Sequence, residues 1–540
     1  MKVASELSEN LMRLDAAFQE LASQRKALDY TFADIDLYQI LKVLAYMAVM
    51  LGAERDAEKR TARKRGPNFG ELLAAAKRRI FTAVPACPTA LTHADNLFIA
   101  HSAPLRSSGV AGFNPLLDPL RAKLSERGET CVAAYYDCDE RPLQGAQTPA
   151  VSLKRVADWS YAAANRRART PGDPITRRSH QLIAALNQTS SLKNASLNNA
   201  VTASALAMRA HATHLLSGWF ENVFKEQERP TRIFITNSYT PAGWAAIRAA
   251  RRTSRLSVDV QHGVQGRGHY AYNWTECEQT PPGMLADAFL CWDDVSAEFL
   301  TSQPWHVGRA RVAGLPMHHS HRYLNQTEDT RSTPILADHA GATGSTIRIG
   351  LFLQYRQDAD WCRRFVSAAT ADGGVEIWLR RHPGAREMNA LRIEELGPNV
   401  RSADALPLAD MLQAIDSAVT GYSSVAIEAV LSNTPVVIAS EIGDRILGPY
   451  LRAAAVPHAI VGPAPEQAAQ LALELARSVT QSKAARFAAA TTLNATHDAR
   501  AADDDALEKL ASAVTWLETL SPREAVPQDA PHDNRGSKRS

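Results

Sequence analysis

The sequence predicts an α/β protein with two Rossmann-like doubly wound domains behind an N-terminal helical extension. Three observations carry that prediction. The chain has 540 residues, too many for one ordinary hydrophobic core, so at least two domains are expected. From Asn96 onward, short apolar runs of strand length alternate with longer helical stretches, the pattern of parallel strands joined by crossover helices. The alternation occurs twice. Between the two sets, residues 322–346 are rich in Thr, Asp, Gly and Ser and lack periodicity, as an interdomain linker would.

Residues 1–90 form the extension. Leu11, Leu14, Phe18 and Leu21 fall at helical spacing. The most apolar run, Leu37 to Leu51, reads as a second helix, interrupted by Gln39 and Lys42 and shorter than the roughly 20 residues a bilayer needs. A buried helix fits, and so does a helix on a membrane surface. The second reading draws on the basic run Arg55, Lys59, Arg60, Arg63, Lys64 and Arg65, since such clusters are attracted to anionic lipid.

The first domain, 91–330, carries predicted strands at 97–100, 131–136, 232–236, 256–260, 287–292 and 311–313. Helices are expected near 116–126, through most of 171–225, and at 242–252. The second domain, 345–485, has strands at 347–353, 375–379, 416–420 and 435–439, with helices at 361–369 and 424–431. Helices continue over 486–521, and the polar, charged stretch 522–540 predicts disorder.

Composition narrows the function. Hydrophobic residues make up 45% and charged residues 22%, as in soluble globular proteins. The 60 basic and 57 acidic residues leave a net charge of +3, too balanced for a protein that coats nucleic acid. Six cysteines without a C-x-x-C pair argue against a disulfide framework or zinc ribbon and fit a reducing compartment. The first residues lack a signal peptide's apolar stretch, so a cytoplasmic location is expected, peripheral to the inner face of the membrane if the basic run binds lipid.

Ligands of open α/β sheets bind beyond the carboxyl ends of strands, so the residues after each strand are the candidates. Arg380-Arg381-His382-Pro383 follows one strand, and cationic groups there suit a pyrophosphate, although a solvated basic turn reads the same way. Thr420-Gly421-Tyr422-Ser423-Ser424 lies between a strand and a helix, where free N–H groups favour an anion and a serine can also merely cap. Glu428, one turn along, could reach a ribose hydroxyl. Asp259-Val260-Gln261-His262-Gly263-Val264-Gln265-Gly266 ends another strand. It offers Gln261, His262 and Gln265 as polar groups, with Gly263 for close backbone approach. Behind it, Tyr270, Tyr272 and Trp274 could stack on a sugar or form core. His101-Ser102 ends the first strand, with Asn114 and Asp118 near in sequence. His101, Asp118, Asp259 and His262 are alternative catalytic bases.

Two motifs resemble metal sites. Asp137-Cys138-Asp139 is literally D-x-D, but acidic strand ends are common. His318-His319-x-His321 lacks a completing Cys or carboxylate and reads as a polar turn. No metal and no other cofactor is expected.

Together, Arg381-His382-Pro383 and Thr420-Gly421-Tyr422-Ser423-Ser424 resemble the HP and S motifs of GT-B transferases that use cytidine nucleotides. That group includes bacterial polysialyltransferases, capsule Kdo transferases and teichoic-acid glycerophosphotransferases. The first half is similar to surface-carbohydrate biosynthesis proteins over Val258 to Gly266, His269 to Trp274, Ala288 to Trp292 and Gly314 to Pro316. The resemblance implies a GT-B fold, a nucleotide-sugar donor with a CMP-sugar favoured, and a surface polysaccharide or lipid-linked precursor as acceptor. It implies that His382, Ser423 and Ser424 contact the donor's phosphate. The polysialyltransferase Asp/Glu-Asp/Glu-Gly motif is missing from the first domain. Alternatives are a CDP-alcohol phosphotransferase, a sugar-nucleotide epimerase on the same fold, and a non-catalytic subunit of a polysaccharide assembly complex.

Overall fold

A computed structural model describes residues 2–23, 31–32, 34–49, 84–102, 112–139, 146, 148–192, 201–225, 230–266, 268–273, 283–303, 308–314, 346–353, 359–371, 373–382, 392–453, 457–460, 464–490 and 496–523. The basic run after residue 50, Trp274, the three histidines at 318–321, all but the last residue of the expected linker 322–346, Pro383 and the tail beyond residue 523 lie outside them.

A short antiparallel hairpin, β1 (Thr31–Phe32) and β2 (Ile35–Asp36), belongs to the extension. The first large sheet contains β3 (Asn96–Ala100), β4 (Cys131–Tyr135), β5 (Ala150–Ser152), β6 (Arg232–Ile235), β7 (Leu256–Val260), β8 (Ala288–Cys291) and β9 (Ala310–Val312). Its order is β5-β4-β3-β6-β7-β8-β9, every pair parallel. The second contains β10 (Ile347–Phe352), β11 (Val375–Arg380), β12 (Val400–Ser402), β13 (Ser417–Thr420), β14 (Val436–Ile438) and β15 (His458–Ile460). Its order is β12-β11-β10-β13-β14-β15, again all parallel.

Both sheets are doubly wound, as the alternation predicts. In each, the chain runs outward through three strands, then returns beside the first and runs the other way. The direction reverses between β3 and β6 and between β10 and β13, and a crevice opens at such switch points beyond the strand ends. The central strands are buried on both faces and are mainly apolar in sequence, with Asn96, Ser257, Asp259, Ser417 and Thr420 as buried polar members. Strands β5, β12 and β15 were not expected. Each has three residues at a sheet edge with partial exposure, so none carries the apolar signature of a central strand.

Where it is described, the apolar run of the extension packs inside the protein. The helix over residues 37–49 buries Leu37, Tyr38, Ile40, Leu41 and Val43 and, equally, Gln39 and Lys42. The two interrupting side chains are satisfied internally: Gln39 Nε2 donates to the Ala271 carbonyl (3.5 Å) and Lys42 Nζ to that of Asn273 (3.0 Å). The hairpin turn is equally integrated. Asp34 adopts φ 63° and accepts from Arg248 and Arg252 of the helix Pro241–Arg252; the Arg248 side chain is only 1% exposed. That helix starts where expected, with Pro241 in its first turn and the Thr240 hydroxyl accepting from Gly243 N at 3.1 Å.

One apolar core runs through the molecule. Leu41 of the extension, Ile99 of the first sheet, and Ile438 and Leu447 of the second belong to the same buried cluster. The C-terminal helix Thr496–Leu517 returns to the first sheet, packing Leu510, Val514 and Leu517 among Phe98, Leu120 and Leu290. Among the described residues, no helix is long and apolar enough to cross a membrane.

Candidate functional site at the strand ends

Four strand ends of the first sheet converge at its switch point. His101 leaves β3 and places Nε2 3.1 Å from Asp137 Oδ2, directly beyond β4. Asp137 also accepts from Ser102 N (2.8 Å) and Ser102 Oγ (2.7 Å), so the first carboxylate of the D-x-D triplet orients a histidine and a serine. The His101 side chain is 41% exposed. His262, beyond β7, places Nε2 3.2 Å from the hydroxyl of Tyr239, which follows β6. Its Nδ1 is buried without a partner among the described residues. Burial lowers the His262 pKa to about 4, and nearby His101 pushes the same way. Near neutral pH its imidazole is therefore uncharged. Rings continue from there: His269 lies 4.9 Å from Tyr239 and 5.2 Å from Tyr272, centroid to centroid.

Several residues expected to meet substrate are instead the scaffold of this loop. Asp259 is fully buried, and the Tyr272 hydroxyl and Gln265 Nε2 donate to it at 3.3 and 3.4 Å. Burial raises its pKa to about 7 against the hydrogen bonds from Ser238 and Tyr272. It lies beneath the surface where an acceptor would arrive. Gln261 has every polar atom engaged: Nε2 donates to the Gly263 carbonyl (2.9 Å) and Ser296 Oγ (3.2 Å), while Oε1 accepts from Trp292 N at 2.6 Å. Gln265 is buried beside Asp259 and Cys291. Tyr270 does not face a sugar. Its hydroxyl donates to Asp15, and its ring packs on Phe18 and Tyr46. Asp118 accepts from Asn114 N (2.6 Å) and from the Thr148 hydroxyl at the buried start of a helix. Burial is the common reason: polar residues in a strand-end loop serve the loop first. Gly263 keeps its expected openness, since a Cβ there would meet nothing within 4 Å.

The second sheet's edge is less cationic than expected. Arg381 is held by Asp404, with Nε donating to Oδ2 at 2.7 Å and the backbone N to Oδ1 at 2.7 Å. Arg380 is buried and donates to the Ala403 carbonyl at 3.0 Å. His382 is half-buried at the end of β11, and that burial lowers its pKa; near neutrality it offers an N–H more than a charge. The Gly421–Ser424 loop lies at the β10/β13 switch point. Ser423 Oγ accepts from Val425 N at 3.3 Å, and the Ser424 side chain makes no capping bond. The following helix, Val425–Leu431, has seven residues, too few aligned peptides for a strong dipole. Burial raises the Glu428 pKa to about 7 against the pull of Arg380.

The loop is fixed from behind. Ser440 Oγ donates to the Gly421 carbonyl (2.9 Å) and accepts from Gly443 N (2.9 Å). A Cβ on Gly443 would fall 1.9 Å from that carbonyl. Gly443→Ala is therefore expected to displace the Gly421–Ser424 loop and to cost about 1–3 kcal/mol by overpacking. Urea unfolding and nucleotide titration together check this; a variant with wild-type stability and affinity would refute it.

Sequence reasoning missed Tyr239 and the pairing of Asp137 with His101. The same strand-end rule, applied to β6, would have found Tyr239, whereas the pairing depends on adjacent strands far apart in sequence.

No protein-family model matches the chain, and no curated protein matches it. Among solved structures it is similar to the calicheamicin glycosyltransferase, at 13% identity over 79% of this chain and 97% of that one, with a TM-score of 0.43. It is similar to the glycotransferase of kitacinnamycin, at 13% identity over 79% and 98%, TM-score 0.45. It is also similar to UDP-GlcNAc 2-epimerase from Neisseria meningitidis bound to UDP-GlcNAc, at 12% identity over 79% and 99%, TM-score 0.43.

Proposed function

We propose that this protein is a glycosyltransferase that moves a sugar from a nucleotide-sugar donor, a CMP-sugar being favoured, to a surface polysaccharide or a lipid-linked precursor at the cytoplasmic face of the membrane. The observation that carries the proposal is the His101–Asp137 pair, an exposed imidazole oriented by a carboxylate at a switch point. A base held by a third group in this way is the arrangement that activates a hydroxyl.

In the proposed reaction His101 takes the proton of the acceptor hydroxyl, and Asp137 stabilises the imidazolium that forms. The acceptor oxygen bonds to the sugar's anomeric carbon. The bond from that carbon to the donor phosphate breaks, and the nucleotide leaves with the electron pair. Charge then grows on the phosphate at the second sheet's edge, where His382 N–H and the hydroxyls of Ser423 and Ser424 would stabilise it. Glu428, at its raised pKa, suits a ribose hydroxyl. His262, neutral and hydrogen-bonded to Tyr239, suits a sugar hydroxyl beside the base.

The test is a screen of CMP, CDP, UDP, GDP and dTDP and of their sugars by thermal shift, followed by turnover assays. A ligand bound only by the native state raises the melting temperature, by about 2.7 kcal/mol of added stability at a hundredfold excess over Kd. Stabilisation by a nucleotide and acceptor-dependent release of it are expected. Turnover of CDP-glycerol but of no nucleotide sugar would replace the proposal with alcohol-phosphate transfer. Acceptor-free conversion of a UDP-sugar would replace it with epimerisation.

A further inference from the structure

The extension touches both halves of the proposed site through one carboxylate. Asp15, on the helix Lys2–Ser23, accepts from the Tyr270 hydroxyl on Oδ1 and pairs with Arg445 through Oδ2. Tyr270 adjoins His269 in the loop beyond β7. Arg445 lies on the helix Glu441–Ala453, and Ser440, the residue before that helix, donates to the Gly421 carbonyl. The same helix is fitted closely to the first sheet's loops. A Cβ on Gly268 would fall 2.8 Å from Ile446 Cα, and Tyr450 hydrogen-bonds Asp293. Beside Asp15, Tyr46 of the second extension helix stacks obliquely on His269 and Tyr270, at 5.2 and 5.0 Å between centroids.

We infer that Asp15 is a positioning residue of the transfer site, the junction through which the N-terminal extension sets the His262–His269 loop in register with the Gly421–Ser424 loop. This rests on the transferase reading. The two loops belong to different sheets and must present an acceptor and a donor to each other within a fraction of an ångström. Neither sheet's own ladder of hydrogen bonds fixes that register. Tyr270 and Arg445 approach the same carboxylate from the two sides, so a shift of either loop breaks one of its bonds.

The experiment compares Asp15→Ala, the gentler Asp15→Asn, Arg445→Ala and the exchanged pair Asp15→Arg/Arg445→Asp in the full chain. Donor contacts all lie on the second sheet, so KM for the donor should stay within about twofold, while kcat falls roughly tenfold or more from misalignment. The exchanged pair restores the ion pair but not the acceptor for the Tyr270 hydroxyl, so it should recover only part of the rate. Hydrogen exchange supplies a readout that needs no activity: in the single variants, amides of 268–273 and 441–446 should exchange faster, with β13 and β7 unchanged. Wild-type kcat and wild-type exchange in folded Asp15→Ala would overturn the inference, as would acceleration spread evenly over the chain. If the wild-type protein turns over no nucleotide sugar, the transferase reading falls by itself, and the exchange data still decide whether Asp15 couples the loops.

Discussion

His101→Ala is expected to lower kcat by roughly 10²–10⁴-fold, the range lost when a positioned general base is removed. The melting temperature should hardly move, because the side chain is 41% exposed and its partner Asp137 keeps two bonds from Ser102. Asp137→Asn should preserve the local shape yet remove the charge that stabilises the imidazolium, so its rate should fall less. The double variant should be little worse than His101→Ala alone, because the two residues act as one unit. Steady-state kinetics with the donor identified by the nucleotide screen would measure all three. Substantial activity in His101→Ala, with activity lost in His262→Ala, would move the base to His262 and sink the assignment.

The second large effect concerns stability. Asp34→Ala removes the carboxylate that Arg248 and Arg252 share and takes the nearest counter-charge from the buried Arg248 guanidinium. Breaking such a pair from one side costs about 3–5 kcal/mol, a large share of the stability of a whole domain. Urea unfolding should show the loss. Asp34→Ala/Arg248→Met should regain much of it, since an apolar replacement removes the orphaned charge. An Asp34→Ala protein within about 1 kcal/mol of wild type would show that the hairpin is not anchored through this pair.

The fold was legible because central parallel strands are short and mainly apolar. Leu97–Ala100 announces itself by composition alone, whereas Leu256–Val260 and Val375–Leu379 keep enough aliphatic residues around Ser257, Asp259 and Glu376 to read as strands. Edge strands such as Ala150–Ser152 were not legible, because a strand with one neighbour and a wet face has no such run. The site was legible only in part. The rule that ligands gather beyond strand ends led to His101, His262, His382 and Ser423, all of which stand there. It did not separate residues that face the crevice from residues that build it. Gln261 and Gln265 are polar for the same outward reason as His262, yet their partners are backbone and buried side chains that only folding brings near. Arg381 failed in the same way, because its partner Asp404 arrives from beyond the next strand. The apolar run from Leu37 left two readings open, because periodicity cannot tell a helix buried by protein from one lying on lipid; Gln39 and Lys42 look like interruptions in sequence, and in the fold they donate to the Ala271 and Asn273 carbonyls.

The unbroken apolar cluster from Leu41 through Ile99 to Ile438 and Leu447 has a consequence for how this architecture can vary. In a protein assembled from separable modules, a donor-reading half can be exchanged for another with a different preference, and chimaeras inherit the new specificity. Here the halves share an interior, and the described helices of the extension, over 2–23 and 37–49, join the same buried cluster. A transplanted second half would need Ile442, Ile446 and Tyr450 in matching shape before its nucleotide preference could be expressed. On the proposed function, a change of donor would be expected to proceed residue by residue around the Gly421–Ser424 loop, with the seam between the halves held constant.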